Sequence, residues 1–367
     1  MKPNRILQIV TNLSAGSGVL AVVLNWHKHI DTTRVQFDYL YMLQVSTNRQ
    51  QEIEQLGGYC YQMPDPRRHP LRFLRESYRF FKMHRYQTVH SHITHLNFFF
   101  YPIAKLFGTK NRIQHAHLTT WSDKKLSGLR NYLMLHSVWP LITHKMACSQ
   151  AAGTAYYGKN FTVVNNGIDV GKFDYNPAVR NAKRKELGLE NNFVIGHVGR
   201  FVRQKNHTFL IDIFEQIIKQ EPAAKLVLVG NGSLETHIQK IVAEKHLQNS
   251  VLFLGSRKDV AELYQVFDVF CMPSLQEGLP VVGVEAQASG LPCLFADTIT
   301  PEVLLLPNSS MLSLEDSPVK WAQQILTLKG QPRTSGKEAL RAKGFDIRQT
   351  AKQIQGFYEE LAKNLCF

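Results

Sequence analysis

No run of about 18 apolar residues occurs in this 367-residue chain, so no membrane-spanning helix is expected. Cysteine is scarce. Cys60, Cys148, Cys271, Cys293 and Cys366 are odd in number, scattered and never in C-x-x-C spacing, which points to reduced cytosolic thiols rather than a disulfide framework. Low-complexity segments and short internal repeats are missing as well. The basic start before R-I-L-Q-I-V leaves too short an apolar stretch for a signal peptide, and a first strand is expected there instead. Acidic residues are the other shortfall: 29 Asp and Glu face 43 Lys and Arg, a formal charge of +14. Phosphorylated small molecules would use only a few of these charges. The excess calls for a nucleic acid or an anionic membrane surface. No nucleic-acid motif accompanies the charge, so a nucleic-acid partner is not expected.

The basic residues cluster. Residues 64–85 carry Arg67, Arg68, Arg72, Arg75, Arg79, Lys82 and Arg85, with Leu71, Leu74, Tyr78 and Phe81 recurring at helical spacing. A basic amphipathic helix of this kind reads as an anionic-membrane-surface element. The same pattern serves a helix that covers a sheet with its apolar stripe inward, and the two readings are compatible.

Length and 44% apolar content suit two domains of middling size. Short apolar runs alternate with helical patterns, the mark of βαβ units and parallel sheets. Strands are expected near residues 5–10, 35–42, 87–90, 112–115, 145–149 and 162–164 in the first half. In the second they are expected near 193–198, 225–229, 251–254, 269–272 and 292–295. The polar stretch N-N-G-I-D-V-G-K-F-D-Y-N-P lacks periodicity and is placed as a linker at about 165–178. Ligands of such paired sheets bind at the carboxyl ends of the strands.

The densest chemical signal is E-G-L-P-V-V-G-V-E-A-Q-A-S-G-L-P, residues 277–292. Pro280 suits the first helical position. The amides of Val281 and Val282 would then form an anion site strengthened by the helix dipole. If the intervening residues are helical, Glu277 and Glu285 stand about 12 Å apart. That span runs from a sugar ring across a diphosphate to a ribose. A surface helix with two solvated glutamates would give the same letters. Arg200 and Lys205 follow the strand F-V-I-G-H-V-G and precede a helix, the place for cations aimed at a leaving diphosphate. No D-x-D occurs to hold a metal there, so no metal is expected.

Histidines are dense twice, as His90, His92 and His95 in H-S-H-I-T-H and as His115 and His117 in Q-H-A-H. Two rings of X-H-X-H share one strand face, but no fixed third ligand is evident, which argues against zinc.

The E-x7-E segment enclosing Gly-Leu-Pro resembles the signature of the family 4 retaining glycosyltransferases. N-N-G-I-D at 165–169, G-H-V-G-R-F-V-R-Q-K-N at 196–206, L-V-G-N-G-S at 228–233 and F-L-G-S-R-K-D-V at 253–260 extend the likeness along the chain. The first half, with P-D-P-R-R-H-P-L-R-F-L and V-H-S-H-I-T-H-L, resembles the bacterial capsular and exopolysaccharide branch. The resemblance implies an α/β GT-B fold, two Rossmann-like doubly wound domains facing across a cleft. Residues 1–170 would bind acceptor and 171–345 the nucleotide sugar, with a helix in 346–367 crossing back to the first domain. It implies metal-free transfer of a hexose from a nucleotide donor, most simply a UDP-sugar, to a lipid-diphosphate-linked glycan at the inner face of a bacterial membrane. Arg200 and Lys205 would contact the donor phosphates, Glu277 the sugar hydroxyls and Glu285 the ribose. Gly278, Leu279, Val281 and Val282 would line the donor, and Arg257 would lie near the base. The family often has a double glycine after its first strand; this chain has Ser17-Gly18, which leaves Gly18 as the donor-loop candidate. His117 is implied beside the reacting carbon, with His92 near acceptor or donor and His115 either there or in the core. A UDP-sugar 2-epimerase shares the architecture, but its spacing differs from E-x7-E. A non-catalytic basic partner subunit is the remaining alternative.

Overall fold

The computed structural model describes residues 2–14, 16–45, 48–121 and 125–364. Cys366 lies outside them. The chain forms two compact units, Met1–Gly167 with Ile347–Phe367, and Ile168–Asp346.

In the first unit, seven strands run β1 Asn4–Ile9, β2 Val35–Tyr41, β3 Cys60–Gln62, β4 Thr88–Ser91, β5 Asn111–Ala116, β6 His144–Ala147 and β7 Thr162–Val163. They pair in parallel in the order β3-β2-β1-β4-β5-β6-β7. Helices cover both faces, so the central strands are buried throughout, although β4 (T-V-H-S) and β5 (N-R-I-Q-H-A) carry many buried polar side chains. The helix Ile347–Lys363 returns to this unit: the Tyr358 carbonyl accepts from Asn4 and Arg34 pairs with Glu359 at 2.7 Å.

In the second unit, β8 Val194–Val198, β9 Lys225–Val229, β10 Val251–Phe253, β11 Val269–Met272, β12 Cys293–Ala296 and β13 Ser309–Leu312 form a parallel sheet, ordered β10-β9-β8-β11-β12-β13. One face packs Leu210, Ile211, Phe214 and Ile217 of the helix His207–Ile218 against Trp321 of the helix Pro318–Thr327. In both sheets the strand order reverses beside the first strand, between β1 and β4 and between β8 and β11. That reversal opens a crevice at the carboxyl ends.

Two strands escape the periodicity reading, and both are edges: the three-residue β3 and the S-S-M-L of β13. Edge strands are short and half-exposed, so they lack the buried apolar run that marks central ones. The helix Pro70–His84 also departs from expectation. Its inward face is Phe73, Ser77, Phe80 and Phe81, while Leu71, Leu74 and Tyr78 are 81%, 37% and 45% exposed. Two aromatic pairs, Phe73 on Phe100 and Phe80 beside Tyr86, win the sheet side because they bury more area than the leucines. Pro280 differs too. It stands in extended conformation just outside the helix Val281–Ala288, as its N-cap rather than its first residue.

Candidate functional site

In the second unit the crevice between β8 and β11 collects the expected residues. After β8 the chain turns through Gly199, exposed Arg200 and a short 3-10 turn, Arg203–Lys205. After β11 the segment up to Pro280 carries Glu277, with Gly278 and Leu279 buried behind it. Lys205 Nζ donates to Glu277 Oε1 at 2.7 Å, with the side chains 13% and 10% exposed. The neighbouring loop is pressed close. A Cβ on Gly230 (φ +137°) would stand 2.1 Å from the Gly199 carbonyl oxygen, and one on Gly232 within 2.5 Å of that of Phe201. The G-N-G after β9 is therefore what lets the Arg200 loop lie flat against its neighbour.

The first amides of the helix Val281–Ala288, those of Val281 and Val282, have no acceptor inside it. One turn on, Glu285 accepts from the Tyr264 hydroxyl at 3.0 Å. Burial pushes its carboxyl up to about 7, against the opposing pull of the Tyr264 hydrogen bond and the Lys172 charge. Arg257 does not stand free: it makes a bidentate pair with Asp259 at 2.8 and 2.6 Å. Asp259 also takes Lys183 at 3.0 Å, and these cations hold its carboxyl well below the usual range. Lys205 and Arg257 are thus each paired with a carboxylate, while Arg200 is exposed and Glu285 is held by a hydroxyl. A diphosphate can enter at Lys205 by exchange.

In the first unit, His92 and His117 each follow a strand end, β4 and β5, with His90 and His115 two residues earlier on the same face. Parallel register brings all four rings together, with His90, His92 and His115 beside Trp26 and His117 stacked at the outer end of the group. His115 and His117 stack at 4.4 Å between centroids and His90 and His92 at 4.5 Å. Burial drives His90, His92 and His115 well below the ordinary imidazole value and His117 down to about 4, which favours the neutral form of all four rings. His115 is fully buried and His117 reaches the surface, which makes His117 the available member of the pair. Gly18 opens the helix Gly18–His29, capped by Ser17, and a Cβ there would meet nothing within 4 Å.

Spacing alone would admit a metal: His90, His92 and His115 offer ligand atoms within 4.8 Å of one another. The expectation of no third ligand is thereby corrected, because strand register supplies one that sequence spacing does not show. In the structure both nitrogens of His90 and His92 and the Nδ1 of His115 are engaged within the cluster, with His117, Gln8 and Tyr358 as the other partners. His115 Nε2 is buried without a partner among the described residues. Gln8, Tyr264 and Tyr358 were absent from the sequence reading. One signal was available for the first: Gln8 interrupts an apolar strand, and a buried amide must find partners.

Residues 192–330 match the family described as glycosyl transferases group 1. Along 371 aligned residues, 96% of each chain, the protein is 33% identical to the Bacillus subtilis (strain 168) protein named putative glycosyltransferase EpsF. It is 29% identical over 60% of each chain to the Escherichia coli UDP-Gal:alpha-D-GlcNAc-diphosphoundecaprenol alpha-1,3-galactosyltransferase. Among solved structures, Anabaena HepE in complex with UDP-glucose superposes with a TM-score of 0.79 over 97% of this chain and 99% of that one, at 20% identity.

Proposed function

The chain belongs to the group 1, GT4-like glycosyltransferases of GT-B fold, and from that premise we propose that it transfers a hexose, with retention and without a metal, from a UDP-sugar to a lipid-diphosphate-linked glycan in bacterial polysaccharide synthesis. The observation that carries this reading is the Lys205–Glu277 pair beside Arg200 and the open amides of Val281 and Val282. These groups supply fixed positive charge for a departing diphosphate and a carboxylate for sugar hydroxyls. In the proposed step the bond from C1 to the diphosphate oxygen breaks. The acceptor oxygen bonds to C1 on the same face, and its proton passes to the departing phosphate oxygen. Glu285 holds the ribose, and His117 orients the reacting sugar. A relative named for a UDP-galactose donor and an undecaprenol-diphosphate acceptor, and neighbours solved with UDP and UDP-glucose, support the choice of donor and acceptor class.

A thermal-shift panel of UDP-, GDP- and ADP-sugars, with and without EDTA, tests the donor half. Stabilisation by UDP-sugars alone, unchanged by EDTA, is expected. A shift that EDTA abolishes, or a preference for GDP or ADP, would overturn that half.

The acceptor half gives the basic segment a role. Residues 66–168 hold fifteen Lys and Arg but only Glu76 and Asp123 as acids. Arg68, Arg72 and Arg79 face a cavity of about 850 Å³, floored by Met42, Met63 and Phe80, while Leu71, Leu74 and Tyr78 point to solvent beside them. Glu76 pairs with Arg75 and Arg79 at 3.4 Å and Asp65 lines the same cavity, so cations outnumber acids here. Exposed apolar side chains among excess cations suit the headgroup region of an anionic bilayer at the inner membrane face. Changing Arg68, Arg72 and Arg75 to Gln is expected to release the protein from phosphatidylglycerol vesicles. Unchanged co-sedimentation would refute the contact.

A further inference from the structure

Beneath the proposed catalytic histidine lies a closed set of hydrogen bonds whose proton positions follow from a single amide. Gln8 Oε1, an acceptor only, meets His92 Nε2 at 2.9 Å, so His92 carries its hydrogen on Nε2 and is bare at Nδ1. His117 Nε2 lies 2.8 Å from that Nδ1 and must donate to it, which leaves His117 bare at Nδ1. On the other side, Gln8 Nε2 donates to the Tyr358 oxygen at 3.0 Å. The Tyr358 hydroxyl therefore donates to His90 Nδ1 at 2.5 Å, and His90 Nε2–H donates to His115 Nδ1 at 3.1 Å. His115 is left with a buried Nε2–H that no group among the described residues accepts. Turning the Gln8 amide over reverses every bond in both branches and moves all four hydrogens to Nδ1. A mixed pattern, with the Tyr358 oxygen accepting from both Gln8 and His90, would leave the buried Tyr358 hydroxyl hydrogen without an acceptor among these groups.

We propose that Gln8 is a positioning residue that fixes the tautomer of His117, so that this ring presents a lone pair rather than an N–H from the nitrogen outside the network. The amide is fully buried and bonded at both ends, and Tyr358, on the returning helix, anchors it. A lone pair accepts a hydroxyl hydrogen of a sugar, whereas an N–H could only donate to the hydroxyl oxygen, so the tautomer sets the direction of that bond. The consequence for turnover rests on the proposed role of His117, but the tautomer is a property of the free protein, so the two fail separately.

The test is the 15N spectrum of histidine-labelled full-length protein without substrate, which separates protonated from bare ring nitrogens. His90, His92, His115 and His117 are all expected to be protonated at Nε2; protonation of any of them at Nδ1 would overturn the assignment. In Gln8→Leu, His92 and His117 are expected to show both tautomers, with kcat lowered roughly tenfold and donor KM unchanged, the value of one lost hydrogen bond. Gln8→Glu discriminates further. Its carboxylate accepts from His92 as the amide does, keeping His117 protonated at Nε2 and restoring turnover, but it also accepts from Tyr358 and drives His90 and His115 to Nδ1–H. A Leu variant whose His117 keeps one tautomer would refute the coupling. Should that variant fail to fold, the wild-type and Glu spectra decide.

Discussion

Glu277→Gln is expected to bind UDP more tightly than the unmodified protein while transferring sugar about a hundredfold more slowly. In the free protein the Lys205 ammonium is spent on Glu277 at 2.7 Å in a largely buried setting. Donor diphosphate and Glu277 compete for the same cation, and the bond to the carboxylate must loosen as the phosphate arrives. Gln keeps the size and one acceptor oxygen but removes the negative charge. The variant therefore starts with an under-neutralised lysine, lowering its stability by about 1–3 kcal/mol. UDP recovers part of that, which predicts a Kd lower by roughly threefold to tenfold. Transfer suffers because charge builds on the sugar ring as its bond to phosphate breaks, and an amide stabilises that charge less than a carboxylate. Loss of one such group costs about 2.7–4 kcal/mol of barrier. Lys205→Ala makes the opposite split at the first step, losing UDP affinity outright. Titration calorimetry with UDP, beside a transfer assay, reads both. A Glu277→Gln protein with weaker UDP binding, or with normal turnover, would sink the exchange and the assignment of Glu277 with it.

Much of this site was legible in the letters because its parts are bound to chain-local rules. A helix start needs open amides and a strand end aims its loop at the crevice, so Lys205, Val281 and Val282 were readable by position, whereas the close approach at the G-N-G after β9 came from the structure. What was not legible came from register between strands far apart in sequence. Four histidines on two strands form one cluster only because β4 pairs with β5 in parallel and Gln8 of β1 lies opposite His90. Tyr358 reaches the same cluster from 350 residues away. Helix orientation failed for another reason: Leu71, Leu74 and Tyr78 have apolar spacing as good as Phe73, Phe80 and Phe81. Rotation about the helix axis is settled by which set packs better, and spacing does not record that. Arg257 shows the same limit for charge, since Asp259 two residues on captures it.

Glu285→Gln should change stability and binding in opposite directions, with pH as the discriminator. The carboxyl titrates at about 7 in the folded protein against an ordinary value of 4.5. Between those values the folded chain holds a proton that the unfolded chain has released, so this residue's contribution to stability falls as pH rises through that window. Above pH 7 the buried carboxylate costs at most about 3 kcal/mol. Gln does not ionise and escapes the cost. The variant should match the parent below pH 4.5 and exceed it increasingly from pH 5 to 8, read by denaturant melts across that range. Binding runs the other way. A ribose diol donates two hydrogens to a carboxylate but is poorly served by an amide, so the variant should lose roughly tenfold or more in affinity for UDP-sugar at pH 8. The parent's own affinity should weaken as pH drops below about 7, as the carboxyl takes up its proton. A nucleotide sugar is the right probe because its substituted diphosphate carries no group titrating in this window, unlike free UDP. Parallel stability curves for parent and variant from pH 5 to 8.5 would show that Glu285 is not held in its uncharged form. Equal affinity at pH 8 would remove it from the ribose. The carboxylate that destabilises the empty protein is thus the group the donor would need, a conflict expected where a fold retains a buried acid for binding rather than for packing.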